Sequence, residues 1–185
     1  MSRLPIALAA VAALSACATS GDGAGHSEAA LTAPRGVDRS ARERIAREDM
    51  LTQMAFWAGE YQTFPNDLEA AQRFAEALRR GGRTDRAAQV ASEALGRFPE
   101  DRALLMTYGM SQVAAGRAQA ALRPLALVAA AENDNWRARS ALGAALDQRS
   151  RFDDGRRAYQ EALAIQPGAP RILTNLGVSH IMAGD

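Results

Sequence analysis

Few residues in this chain are equipped for chemistry. There is one thiol, Cys17, and there are two imidazoles, His26 and His180. All 22 basic residues are Arg, so Schiff-base chemistry and a phosphate-loop lysine are ruled out. The acids cluster twice. Glu132-Asn133-Asp134-Asn135 has no His or Cys near it in sequence and reads as an inter-helix loop and cap. Asp153-Asp154 opens a helical stretch, where acids complement the helix dipole, and adjacent side chains point apart. His26 lies in a Gly/Ser/Ala-rich stretch without companion ligands, and His180 falls at a position expected to face inward in a packing helix. No catalytic or metal-binding constellation emerges, and the expectation is a non-enzymatic protein without cofactor or metal.

The chemistry that remains belongs to Cys17 and the chain before it. Arg3 supplies a positive start, and Leu4 to Leu14 a short Ala-rich apolar stretch. That stretch falls short of the ~20 residues needed to span a bilayer, so residues 1–16 read as a signal peptide. Leu14-Ser15-Ala16-Cys17 resembles the bacterial lipobox. The resemblance implies cleavage before Cys17, acyl chains on that residue, and stable membrane anchoring through several chains at one site. A lone cysteine has no internal disulfide partner, in agreement with a thiol consumed by lipid. Ala18, rather than Asp, follows the cysteine. By the same resemblance this implies release to the outer membrane of a Gram-negative cell, facing the periplasm. Residues 17–37 are rich in Ala, Gly, Ser and Thr and read as a flexible tether.

Hydrophobic residues make up 48% of the 185 positions, aromatics only 5%, and the net charge is +1. The core must therefore be built from aliphatic and small side chains, which suits close-packed helices. Nothing in the charge balance argues for nucleic acid. The Arg residues are scattered, which favours codon bias over a phosphate site.

Four columns recur every 34 residues: Ala75, Gly109, Gly143 and Gly177; Phe74, Tyr108, Leu142 and Leu176; Gly82, Gly116, Ser150 and Gly184; Pro65, Pro99, Asn133 and Pro167. A period of roughly 34 residues resembles that of the tetratricopeptide helix-turn-helix array. The expected fold is all-α, a tetratricopeptide-repeat solenoid of antiparallel helix pairs. Residues 38–67 form an N-terminal helix or degenerate half-repeat. Three repeats then span 68–101, 102–135 and 136–169, and a partial fourth occupies 170–185. Helices are expected near 68–80, 84–97, 103–114, 118–131, 136–148, 152–165 and 171–182.

Finer expectations follow from the columns. Asp38 caps one helix running to about Gln62. Its half with Arg42, Glu43, Arg44, Arg47 and Glu48 reads as a solvated face, and Met50, Leu51, Met54, Trp57, Ala58 and Tyr61 as an apolar stripe. The column glycines permit close helix approach, each met by the small residue twelve positions later: Ala87, Ala121 or Gly155. Gly82 and Gly116 end helices in a left-handed turn. Pro124 inside a helix costs roughly 3 kcal/mol or kinks it. Trp136 is placed to stack on the preceding repeat. Ile172, Leu173 and Leu176 face where a further helix would lie, so either the chain is a piece of a longer protein, the preferred reading, or something else covers that face.

First helices of such arrays line a concave surface. The candidate partner-binding residues there are Arg79, Met106, Met110, Val113, Arg171, Thr174 and Val178. They make a groove charged at one end and Met-rich beyond, suited to an apolar helix or extended segment. Met106 and Met110 are equally readable as core.

Phe56-Trp57-Ala58-Gly59-Glu60-Tyr61, Phe74-Ala75-Glu76-Ala77-Leu78-Arg79 and Pro170-Arg171-Ile172-Leu173-Thr174-Asn175-Leu176-Gly177 resemble TadD-like lipoproteins of Flp-type (tight adherence) pilus secretion systems. That resemblance implies a scaffold assisting pilus assembly, with a secretin or another pilus component as partner. A type IV pilus or barrel-assembly lipoprotein, an adaptor recruiting a peptidoglycan hydrolase, and a fragment of an enzyme carrying a repeat domain are the alternatives.

Overall fold

The computed structural model describes residues 38–184. The expected signal peptide, Cys17 and the tether lie outside the described residues. Nine helices make up the described part: α1 (Arg39–Ile45), α2 (Met50–Thr63), α3 (Leu68–Arg80), α4 (Thr84–Leu95), α5 (Arg102–Ala114), α6 (Ala118–Ala131), α7 (Trp136–Asp147), α8 (Phe152–Ile165) and α9 (Pro170–Ala183). Each packs against its chain neighbour. In addition α3, α5, α7 and α9 touch in succession, whereas α4, α6 and α8 do not touch one another. An inner layer in mutual contact and a splayed outer layer curve the array into a solenoid with a concave inner face.

The 34-residue period is written into the backbone hydrogen bonds. Asp67, Asp101 and Asn135 cap α3, α5 and α7, each accepting from the backbone N–H three residues on: Ala70 at 3.0 Å, Leu104 at 2.9 Å and Ala138 at 2.9 Å. The next member of that column is Ala169, so α9 has no side-chain cap and starts on Pro170 instead. At the other end of each inner helix a left-handed residue closes the turn. Gly82, Gly116 and Ser150 have φ of 73°, 72° and 57°. The following N–H groups of Arg83, Arg117 and Arg151 then donate back to Leu78, Gln112 and Leu146 at 2.9, 2.8 and 3.0 Å. Ser150 adopts this conformation despite carrying a Cβ.

The core is assembled from small residues. Ala70, Ala71, Ala75, Ala87, Ala91 and Ala94 are fully buried around Phe74, Val90 and Leu104. The column glycines do allow close approach, but the residue that fills the space differs from expectation. A Cβ on Gly109 would lie 2.6 Å from Leu125 Cγ, and one on Gly143 would lie 2.7 Å from the Tyr159 ring. The bulky residue sixteen positions later meets the glycine. Gly155 also comes close to its expected partner, with Gly143 O 3.2 Å from where its Cβ would stand.

Several local expectations are corrected. The single helix from Arg39 to about Gln62 is two helices, because the chain turns after Ile45 and Asp49 begins the second. Its carboxylate accepts from the N–H groups of Leu51 and Thr52 and from the Thr52 hydroxyl. The charged half is not wholly solvated. Arg42 is buried and donates to Glu60 at 2.6 Å, Asp67 at 2.7 Å and Glu69 at 2.9 Å, with its guanidinium 5.4 Å above Trp57. Burial would lower the pKa of Arg42, but the bonds to Asp67, Glu60 and Glu69 raise it. In the apolar stripe Trp57 is buried, whereas Met50 and Leu51 are exposed. The helix α6 continues through Pro124. Trp136 packs with Tyr159, Ala162 and Ile172, on its own and the following repeat rather than the preceding one. His180 is exposed, and its neighbour Ser179 is the inward residue.

Candidate functional site

The inner helices position the main concavity. Its floor comes from α5 and α7, where Met106, Met110 and Val113 lie beside Ala141 and Ala144. The volume is about 960 Å³, room enough for a short peptide segment. Met106 and Met110 sit half-buried, packed against the buried Ala118, Ala121 and Leu125 cluster while lining the cavity. They serve as core on one side and as groove on the other.

Of the residues singled out on the sequence, Arg79, Met106, Met110, Val113 and Arg171 come together along this cavity. Thr174 and Val178 do not line it. Thr174 donates its hydroxyl to the Pro170 carbonyl at 2.9 Å, and Val178 is exposed on α9. Sequence reasoning passed over Arg137, Ser140 and Asn175, which also line it. Register holds the missing signal: Arg137 and Arg171 are 34 residues apart and occupy the same place in successive inner helices.

The charge of the lining is one-sided. Five guanidiniums, those of Arg73, Arg79, Arg80, Arg137 and Arg171, face one carboxylate, that of Glu76. Glu76 is already engaged, accepting from Arg79 Nε and Nη2, both at 2.7 Å. The bond to Glu76 raises the Arg79 pKa, with burial opposing it. Arg137 lies 4.5 Å over the Trp136 ring, a cation–π contact that holds the guanidinium at the cavity rim. Thr107, Ser140 and Asn175 add neutral polar groups.

A second polar cluster is structural. Asp147, buried at the end of α7, accepts from Tyr159 Oη at 3.0 Å and from Ser179 Oγ at 2.9 Å. These bonds tie α7 to α8 and α9. Burial and the neighbouring Asp147 charge push the Tyr159 hydroxyl pKa well up, so it stays a donor. Among the described residues there is no cluster of three or more metal-ligating side chains. No described helix is long and apolar enough to cross a membrane.

Curved stacking of helix pairs around an open trough defines a helical-repeat solenoid. The tetratricopeptide repeat profile matches residues 73–135, 126–170 and 140–185. The chain belongs to the tetratricopeptide repeat family, whose arrays bind protein partners, and it is a protein-interaction scaffold. Solved structures support the same fold. MamA residues 41 to the end from Desulfovibrio magneticus RS-1 superposes with a TM-score of 0.70 at 24% identity, covering 80% of this chain and 84% of that one. An RS-1 MamA double mutant gives 0.69 at 24%, covering 80% and 83%. MamA from MSR-1 gives 0.64 at 22%, covering 78% and 80%. Among curated proteins, none matches the sequence.

Proposed function

We infer that this chain is an outer-membrane lipoprotein facing the periplasm, held by acyl chains on Cys17, that helps a Flp/Tad-type pilus or secretion system assemble. Its role is to bind rather than to catalyse, and its partner is a secretin or another pilus component. The observation that carries this reading is the open concave trough of a tetratricopeptide array, in a chain whose Leu14-Ser15-Ala16-Cys17 resembles a lipobox. The anchor would hold the array at the membrane, and the tether at 17–37 would give it reach. The TadD-like strings at 56–61, 74–79 and 170–177 supply the choice of machine.

Crosslinking the lipidated protein in membranes of its own host, followed by mass spectrometry, tests the assignment. A secretin or pilus component among the adducts is the expected result. A cell-wall hydrolase or barrel-assembly machinery in their place would overturn the pilus assignment.

A further inference from the structure

The concave trough is basic along both edges and apolar between them, and register places the two edges. Count from the residue that caps each inner helix. Arg79 and Arg80 then fall at positions 12 and 13, near the C-terminal end of α3, and Arg137 and Arg171 at position 2, at the start of α7 and α9. Inner helices run in the same direction, so the two Arg groups lie on opposite edges and at opposite ends of the trough. Met106 and Met110, at positions 5 and 9 of α5, and Ala141, at position 6 of α7, fall between them.

The charges are available. No described carboxylate lies within ion-pair distance of Arg80, Arg137 or Arg171, and the only acid lining the trough is taken by Arg79. Arg73, the fifth guanidinium of the lining, lies 3.9 Å from Glu69 on its own helix.

We propose that the trough takes a peptide segment with acidic residues at both ends and apolar side chains between them, lying diagonally from the end of α3 to the starts of α7 and α9. Guanidiniums hold the carboxylates at each end, and the Met–Ala floor takes the apolar middle. Packed helices sit about 10 Å apart, so α3 and α7 are separated by about 20 Å. Ten positions of register add about 15 Å along the helix axis. The two acidic ends are then about 25 Å apart, the span of about seven or eight extended residues. The inference rests on the scaffold reading above and adds the chemistry of the partner's docking segment.

The test uses the full-length protein in detergent and three short fluorescein-labelled peptides blocked at both termini. One has paired acids at both ends and leucines between, one keeps acids at a single end, and one has lysines replacing all the acids. Anisotropy titration should show the first binding about tenfold more tightly than the second, with no saturable binding of the third. Arg137→Glu combined with Arg171→Glu should weaken the first peptide by about tenfold or more and leave the unfolding midpoint unchanged. Arg86→Glu, on the exposed side of α4, should change neither. Equal binding of all three peptides, or an unaffected double variant, overturns the proposal. Should the peptides fail while host crosslinking captures a secretin, this inference falls and the pilus reading stands. Peptide binding without capture of any pilus component gives the reverse.

Discussion

Single side chains decide how closely these helices pack, and the column glycines show it in two opposite ways. A methyl group on Gly109 would meet Leu125 within 2.7 Å, whereas one on Gly177 meets nothing within 4 Å. Gly109→Ala should therefore cost about 1–3 kcal/mol through overpacking. Gly177→Ala should gain about 0.5–1 kcal/mol from helix propensity alone. Urea denaturation of the two variants checks the opposite signs. The glycine column was legible in the sequence because small residues recur at a fixed period. The residue filling the space was not, because a packing partner depends on how two helices are offset, which the period leaves open. Asp67 shows a second limit of sequence reading. It caps α3 with one oxygen and binds Arg42 with the other. Burial would raise its pKa, but the Arg42 and backbone bonds hold it below the ordinary carboxylate value. A depressed folded-state pKa contributes stability above the unfolded value of about 4 and loses it as pH falls through the folded value. Asp67→Asn keeps the cap and removes the charge. Its unfolding midpoint should lie below that of the unmodified chain at pH 7, and the gap should close below about pH 4. Arg42 was read as a surface charge because a short helix of mostly charged residues has no periodic signal to mark its one inward member.

At the scale of elements, the helix boundaries followed from columns of capping and turn residues, and seven of the inner and outer helices fall within about two residues of the positions read from the sequence. The miss lies at the N-terminal end, where Asp49 splits an expected continuous helix. No local breaker such as Gly or Pro stands between Ile45 and Met50, and the competing cap shows only in three dimensions. The cap column itself gives a prediction. Ala169 has φ −63° and ψ 113°, close to the −68° and 116° of Asp101, yet it offers no side-chain acceptor. Ala169→Asp should supply the missing bond to the α9 N-terminus and stabilise by about 0.5–2 kcal/mol. Faster hydrogen exchange across residues 170–183 in the variant than in the unmodified chain would contradict that account. Second helices start on Arg83, Arg117 and Arg151 without a side-chain cap, and the 6→1 bonds there close the ends of the inner helices before them.

At the scale of the whole molecule, repetition turns small local choices into one surface. The helices α3, α5 and α7 each contribute five or six side chains to the trough and α9 two, and the trough exists because these four pack in succession while the outer helices splay. Its fold class was legible from the period alone. Its charge was legible only in part, because Arg137 belongs to a repeat whose inner-face positions were not read out, and because pairing of Arg79 with Glu76 needs coordinates. Two faces of the array are candidates for contact, and the account places the partner on the inner one. The most direct measurement is site-specific photocrosslinking in host membranes, with the probe at Met110 in the trough or at Gln89 on the exposed side of α4. Adducts to one discrete partner from Met110 and none from Gln89 are predicted. The same partner captured from Gln89 and not from Met110 would contradict the central claim that the concave trough is the binding surface.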